Sequence, residues 1–311
     1  MRRVVHSPAY ECDIGSHVFP TRKYRLVLEQ LLATGSLRPE QVVRPHPVDR
    51  TALERVHTRA YVDDLLALRP TQRVLRSELP IDAAIRDAAL MAAGGTLLAA
   101  RAALEDGAAM HIGGGFHHAM PDHAEGFCYI NDIAVAIRAL QSEGGIDRVA
   151  VVDTDVHQGN GTARIFQNDA SVWTFSIHQE NNYPVKEVSD LDIGLDDGTG
   201  DADYLAALAG AMPLALAVQP DIVFMVAGVD PFFDDQLGGL ALTHDGLQAR
   251  DRLVVDACAR AGVPVVGLLA GGYARRSSDT VLAHVQTAHV VLAWDGARRQ
   301  KPPSATAGAD A

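Results

Sequence analysis

Acidic and imidazole side chains are concentrated in one short segment of the chain. Asp153, Asp155 and His157 alternate along it, and Asn160 follows three residues later. Because alternate residues of an extended chain point the same way, the two carboxylates and the imidazole converge if that conformation persists. Carboxylates brought so close together need a cation, a shared proton or solvent. The segment therefore predicts a divalent metal bound by Asp155 and His157, with Asp153 in another role. A solvated loop with incidental acids is the alternative.

Asp230 is a candidate third ligand. An aspartate at such a place is usually a cap or turn residue, but its neighbours favour a ligand. Gly228 allows the backbone to approach closely, and Pro231 fixes the direction in which the chain leaves. Two aspartates and one histidine leave an open coordination position, as a catalytic metal requires. This donor set suits Zn²⁺ and also Fe²⁺ or Mn²⁺.

Two further sites carry groups suited to proton transfer. His117 and His118 are adjacent and follow three glycines, while Tyr273 follows two glycines. Histidine transfers protons near neutral pH, and each ring needs an orienting partner, for which Asp153 and Asn160 are the candidates. Tyr273 can donate a hydrogen bond to an oxyanion that forms opposite the metal. Core histidines and a half-buried tyrosine are the alternatives.

Short apolar runs alternate with helical patterns over most of the chain, and each group of polar residues follows one of the runs. The predicted strands are Met110–Ile112, Val149–Val152, Val172–Ile177, Ile222–Ala227 and Val263–Leu269. The predicted helices are Ile85–Leu104, Ile130–Ser142, Asp203–Val218, Asp245–Arg260 and Asp279–Ala293. This alternation predicts one doubly wound α/β domain, with a mainly parallel sheet flanked by helices on both faces. Ligands of such sheets bind beyond the carboxyl ends of the strands. We expect this domain over residues 1–296 and a disordered tail at 297–311.

Composition limits the classes of partner. The 311 residues include 27 Lys and Arg against 39 Asp and Glu, a formal net charge of −12, which argues against direct nucleic-acid binding. No run approaches the roughly 18 apolar residues that cross a bilayer, and no signal peptide is recognised. Three widely spaced cysteines exclude a disulfide scaffold and fit a reducing compartment. We expect a soluble protein, located in the cytoplasm and not bound to membranes.

These motifs, in this order and spacing, resemble the histone deacetylase superfamily of metal-dependent amidohydrolases. The matching segments are Gly113–His118, Gly126–Cys128 with Asn131 and Asp132, Asp153–Asn160, Ala227–Asp230 and Gly271–Tyr273. The resemblance covers roughly residues 100–293 and is weaker over residues 1–80. In the run from His157 to Asn160, in Tyr183-Pro184 and in residues 235–240 the chain is most similar to the class IV branch.

The resemblance implies a role for each polar residue. His118 would be the general base and then the general acid, with His117 as its electrostatic or proton-transfer partner and Tyr273 as the oxyanion donor. Asp153 would orient His117. Asn160 stands where many relatives carry an aspartate, so His118 would lack a second carboxylate. The implied zinc ligands are Asp155, His157 and Asp230.

The resemblance also assigns substrate and cation contacts. Gly126 and Phe127 are similar to one wall of an acyl-lysine tunnel, and Tyr183 to the opposing wall. Leu237 stands where relatives that cleave acetylpolyamines carry a glutamate, which counts against polyamine selectivity. A structural monovalent cation site, for K⁺, would be formed by Asp153, Asp155, His157, Ser176 and Ile177.

The resulting hypothesis is hydrolysis of acyl groups, acetyl or longer, from lysine-type amines on a peptide, a protein or a small acyl amide. Class IV members that favour long fatty-acyl chains leave acyl length open. The alternatives are a deacetylase of small amines such as acetylpolyamines, a dimanganese ureohydrolase and a catalytically silent binding protein. A ureohydrolase needs an aspartate two residues beyond His157, where this chain has Gly159. The sequence defines neither the oligomeric state nor the physiological substrate.

Overall fold

Eight strands form one sheet in the computed structural model, which describes residues 2–297 of the chain. The strands are β1 (Arg3–Val5), β2 (Val42–Val43), β3 (Ala108–His111), β4 (Val149–Asp153), β5 (Val172–Gln179), β6 (Leu191–Leu195), β7 (Ile222–Val226) and β8 (Val265–Leu268). Their order is β2-β1-β3-β8-β7-β4-β5-β6, and every neighbouring pair is parallel. The predicted fold class, a single α/β domain, is confirmed.

Helices connect the strands and cover both faces of the sheet. Within the described residues the helices are α1 (Lys23–Ala33), α2 (Arg50–Glu54), α3 (Arg59–Leu66), α4 (Gln72–Leu75), α5 (Ala83–Asp106), α6 (Asp132–Ser142), α7 (Asn160–Phe166), α8 (Asp201–Ala217), α9 (His244–Ala261) and α10 (Ser277–Leu292). Two 3-10 helices cover Pro8–Tyr10 and Pro39–Gln41. Parallel strands need such crossover connections, because no hairpin can join them.

Each central strand divides its side chains between two cores. In β7, Val223 and Met225 join a core that contains residues of α8, α9 and α10. Phe224 and Val226 join the opposite core, which contains residues of α5 and α6. Since successive strand residues point to opposite faces, a strand buried on both sides must be apolar throughout. This explains the uninterrupted apolar runs in the sequence.

Helix α5 is long and apolar enough, by length and composition alone, to cross a membrane. Here it packs on the sheet instead. Several of its small residues, among them Ala99 and Ala103, are fully buried in the core beside α6. A helix in a protein core can be as long and as apolar as a helix that crosses a membrane.

The sequence prediction missed three strands, β1, β2 and β6, and shifted the ends of others. β1 and β2 have three and two residues, too few to produce a pattern. β6 lies at the edge of the sheet opposite to β2, and its residues are alternately half-exposed and exposed. The strand predicted at Met110–Ile112 instead covers Ala108–His111, because two alanines give no β signal. The predicted tail at 297–311 lies outside the described residues apart from Ala297 and stays a prediction, as does the domain range 1–296.

Candidate active site

Four neighbouring strands carry all the loops that the motifs predicted. These strands are β3, β8, β7 and β4, in that order across the sheet. Their carboxyl ends lie at one edge because the strands are parallel, so the loops after them meet there. The glycines and histidines after β3 therefore lie beside the acidic residues after β4 and β7 and the glycine-tyrosine motif after β8.

Asp155, His157 and Asp230 are buried together at this edge. One ligand atom from each residue lies within 4.8 Å of the others. The imidazole Nδ1 of His157 is 3.1 Å from Oδ1 of Asp155 and 3.5 Å from Oδ2 of Asp230. Glycines make the room: a Cβ on Gly271 would lie 2.0 Å from Asp230 Oδ2, and one on Gly228 would lie 2.2 Å from Asp155 Oδ2. Any side chain at either glycine would displace a carboxylate.

We name Asp155, His157 and Asp230 the metal-binding group. The electrostatics of this group fit a divalent cation. Burial lowers the pKa of His157, but the hydrogen bond to Asp155 and the nearby charge of Asp230 outweigh it and raise that pKa to about 10. Two buried carboxylates thus favour a positive charge between them. Oδ2 of Asp230 is fully buried and has no hydrogen-bond partner, as expected of an atom aimed at an ion. These three residues would hold the metal.

The guanidinium of Arg250, on α9, forms hydrogen bonds with both loops that carry the candidate metal ligands. Its Nη1 donates hydrogen bonds to the carbonyl oxygens of Thr154 and Gly228, one from the loop after β4 and one from the loop after β7. Arg250 is fully buried, and its charge is balanced by Asp251 at 2.9 Å from Nε. Thr287 donates to the other carboxylate oxygen of Asp251. We name this group the Arg250 clamp.

His117 has a carboxylate as its direct partner. Its Nδ1 lies 2.6 Å from Oδ2 of Asp153, whose Oδ1 accepts a hydrogen bond from the backbone N–H of Asp155. Burial lowers the pKa of His117, but the charges of Asp153 and Asp155 outweigh it and raise that pKa to about 9. His117 is therefore positioned to carry a positive charge.

His118 has an amide as its direct partner. Its Nδ1 lies 2.8 Å from Oδ1 of Asn160, the first residue of α7. The two histidine rings are 4.0 Å apart between centroids. Burial, followed by the nearby charges of His117 and His157, lowers the pKa of His118 well below its ordinary value. A neutral imidazole at this place can accept a proton.

Tyr273 is buried against residues from the N-terminal part of the chain. Its backbone N–H donates to Oδ2 of Asp235 at 2.7 Å. Lys23, fully buried, lies with its Nζ 5.6 Å from the centre of the tyrosine ring and donates to the Ala270 carbonyl oxygen at 2.6 Å. The ring of Phe19 is 6.4 Å away. No local pattern in the sequence predicts the contacts of Phe19 and Lys23 with this tyrosine, because both residues come from a distant segment of the chain.

A small cavity of about 20 Å³ lies between these groups. Residues from the loops after β3, β4 and β8 line it, including Phe116, His117, His118, Asp155, His157, Gly271 and Tyr273. Phe19 and Phe127 form its apolar part. An adjoining, almost wholly apolar cavity of about 40 Å³ shares Phe19, Phe116 and Phe127 with it.

The predicted tunnel residues lie at different depths. Gly126 and Phe127, both with positive φ, line the cavity. Tyr183 is 40% exposed, and its ring centre is 5.3 Å from that of His118. A Cβ on Gly126 would lie 2.7 Å from His118 Cδ2 and 2.9 Å from the Tyr183 hydroxyl, so this wall depends on glycine. Leu237 lies further out, in a surface depression that it shares with Phe127.

The residues predicted for a K⁺ site are close in the sheet. Ser176 and Ile177 belong to β5, and Ser176 is paired with Asp153 of β4. The Ser176 hydroxyl is 3.0 Å from Nδ1 of His178. The binding of a cation here, with Asp155 and His157 as further members, stays a prediction.

A candidate metal-binding group and paired histidines at the carboxyl edge of a doubly wound sheet are typical of a class of α/β metalloenzyme. The histone deacetylase domain matches residues 17–289, and the chain belongs to the histone deacetylase family. It is therefore a hydrolase of the deacetylase type, in a family that depends on a metal. The predicted superfamily is confirmed, whereas the class IV branch stays a prediction.

Individual relatives agree with this family. The chain is 45% identical over 288 residues to an uncharacterised protein of Picosynechococcus sp., covering 90% of this chain and 95% of that one. It is 33% identical over 280 residues to a probable deacetylase of Archaeoglobus fulgidus, covering 83% and 77%. The crystal structure of the HDA15 HD domain superposes with a TM-score of 0.78 at 26% identity, covering 94% of this chain and 91% of that one.

Proposed function

We propose that this protein removes acyl groups from lysine-type amines by metal-dependent hydrolysis. One observation carries the proposal: Asp155 and His157 of the metal-binding group line the same narrow cavity as His118 and Tyr273, and this cavity is apolar on its Phe19 and Phe127 side. An apolar wall suits the methylene stem of a lysine, while the charged or peptide end stays in solvent. The probable deacetylase of Archaeoglobus fulgidus supports the same reaction class.

The mechanism follows from the hydrogen bonds of the two histidines. A divalent ion held by the metal-binding group would supply Lewis acidity at the amide carbonyl and the attacking water. Because Nδ1 of His118 is bonded to Asn160, its Nε2 is free to accept the water proton. Tyr273 donates a hydrogen bond to the oxyanion, and His118 then returns the proton to the departing amine. His117, held by Asp153, keeps a positive charge beside the reaction.

Metal analysis and turnover together test this proposal. We propose Zn²⁺, with Fe²⁺ and Mn²⁺ as the ions to compare. Purified protein should contain one equivalent of metal and release acetate from an acetyl-lysine peptide, and a chelator should stop that release. Asp230→Asn should lose both metal and turnover, whereas Asp234→Asn, which removes a surface carboxylate paired with Arg275, should keep both. Turnover that persists in metal-free protein would refute the proposal.

Removal of acyl chains longer than acetyl is a second candidate function, and the apolar lining of the adjoining cavity favours it. Ala89 of α5 lines that cavity, so Ala89→Phe should fill it. We expect the variant to lose activity on octanoyl- and myristoyl-lysine peptides while it keeps activity on acetyl-lysine. Ala83→Phe, at an exposed position of the same helix, is the control. Equal activity of the Ala89→Phe variant on all chain lengths would exclude the cavity as an acyl site.

Two observations bear on the alternative substrates and reactions. A Cβ on Gly159 would lie 2.2 Å from Oδ2 of Asp153, so the aspartate that a dimanganese ureohydrolase needs does not fit there. Leu237 places an apolar side chain at the outer rim. Leu237→Glu should therefore raise the activity on acetylspermidine relative to the acetyl-lysine peptide. An unchanged ratio of these two activities would show that Leu237 does not determine the selectivity.

A further inference from the structure

We propose that Glu125 is a positioning residue for this reaction. It fixes the side-chain amide of Asn160 so that the oxygen faces His118, and thereby holds His118 in the tautomer whose Nε2 is unprotonated. The inference rests on the proposed function, because it concerns the histidine that we propose as the base. Through Asn160, Glu125 supplies the second carboxylate that His118 was expected to lack.

A continuous line of hydrogen bonds leads from His118 towards the surface. Nδ1 of His118 donates to Oδ1 of Asn160 at 2.8 Å, and Nδ2 of Asn160 donates to Oε1 of Glu125 at 3.0 Å. Nη2 of Arg76 donates to the other oxygen, Oε2, at 2.7 Å, and Nε2 of His123 lies 3.1 Å from the same oxygen. Asn160 is fully buried, Glu125 is 7% exposed, and Arg76 lies at the surface. We name these groups the Glu125 relay.

The chemistry of the groups sets the direction of every bond in the relay. An arginine can only donate and an ionised carboxylate can only accept. Glu125 therefore accepts from both sides, which places the NH₂ group of Asn160 towards Glu125 and its oxygen towards His118. A lone asparagine has no such preference, because its oxygen and nitrogen ends have the same shape.

The reverse orientation would block the reaction. If the NH₂ group of Asn160 faced His118, Nδ1 would have to accept a hydrogen bond, and the ring proton would lie on Nε2. Nε2 is the atom that must accept the water proton in the proposed mechanism. The orientation of one amide thus decides whether His118 is a base, and Glu125 decides the orientation.

Glu125→Gln tests the relay because it replaces one oxygen by NH₂ at constant shape. Arg76 will attract the glutamine oxygen, so the NH₂ group will face Asn160 and turn its amide over. We expect kcat on the acetyl-lysine peptide to fall about 10- to 100-fold, while KM and the melting temperature stay close to wild type. Asn160→Asp alone should also lose activity, because it puts two carboxylates in contact.

The double variant Glu125→Gln, Asn160→Asp restores the matching of donors and acceptors in the opposite order. Its aspartate accepts from both His118 and the glutamine NH₂ group. We expect its kcat to exceed that of either single variant by about tenfold, a recovery that a merely structural role for Glu125 would not produce. Glu78→Gln, an exposed carboxylate near the cavity rim, controls for the change in charge.

The ring ¹⁵N chemical shifts of His118 provide a readout that does not need turnover. Wild type and the double variant should show a protonated Nδ1, and Glu125→Gln should show a protonated Nε2. A protonated Nδ1 in Glu125→Gln, or a double variant no better than its worse parent, would overturn the inference. Absence of turnover in wild type would instead refute the proposed function, and the ring shifts would still decide the tautomer.

Discussion

The two adjacent histidines of the site differ in how each is connected to a carboxylate. His117 bonds directly to Asp153, and both groups are buried at the end of the sheet. His118 bonds to a neutral amide and reaches its carboxylate, Glu125, one step further out. A direct carboxylate stabilises a proton on the ring, whereas an amide fixes the tautomer without adding a charge. Neighbouring rings can thus take different roles, because carboxylates raise the pKa of His117 while burial and nearby positive charges lower that of His118.

Replacing each histidine in turn should give the largest effects. We expect His118→Ala to lower kcat by about 10²–10⁴-fold, since it removes the proton acceptor. His117→Ala should cost about 10–100-fold, because it removes a supporting charge only. Steady-state kinetics on an acetyl-lysine peptide, with circular dichroism to verify folding, will measure both. Equal losses would mean that the two rings share one role.

Tyr273→Phe leaves both histidines intact and tests the oxyanion. We expect kcat to fall about 10²–10³-fold, because one hydrogen bond to the developing charge is lost. The unchanged metal content of the variant is the control. A fall in kcat smaller than that of His117→Ala would indicate that His117 stabilises the oxyanion more than Tyr273 does.

Asp153→Asn replaces the carboxylate partner of His117 by an amide, which is the kind of partner that His118 has. The amide cannot balance a positive charge, so we expect a 10–100-fold fall in kcat and a lower pKa for His117. NMR titration of the His117 ring will report the pKa beside the kinetics. Wild-type activity with a lowered pKa would show that the charge on His117 is dispensable.

Arg76→Ala removes the exposed end of the Glu125 relay and should have the smallest effect. The side chain of Arg76 is 54% exposed, and Glu125 keeps its bond to Asn160 without it, so we expect at most about a fivefold fall in kcat. Raising the salt concentration should have a similar effect on wild type and none on Arg76→Ala. A loss as large as that of Glu125→Gln would make Arg76 an equal member of the relay.

The sequence was sufficient to predict that the strand-end residues lie together and insufficient to predict the residues that support them. Asp155, His157 and Asp230 could be grouped because parallel strands bring their carboxyl ends to one edge, whatever their separation in sequence. Glu125, Phe19 and Lys23 could not be placed in this way. They lie on loops or on an N-terminal helix whose path depends on packing, and no periodic pattern encodes a contact between Lys23 and Ala270.

The Arg250 clamp joins parts of the molecule that local unfolding would otherwise separate. If the loop after β4 or the loop after β7 opened alone, a buried guanidinium would lose an acceptor, at a cost of about 1–3 kcal/mol. The two loops and α9 should therefore open as one cooperative unit. Slow amide hydrogen exchange would then extend from the back helix to the ligand loops, which makes this edge of the sheet rigid where enzyme loops are often mobile.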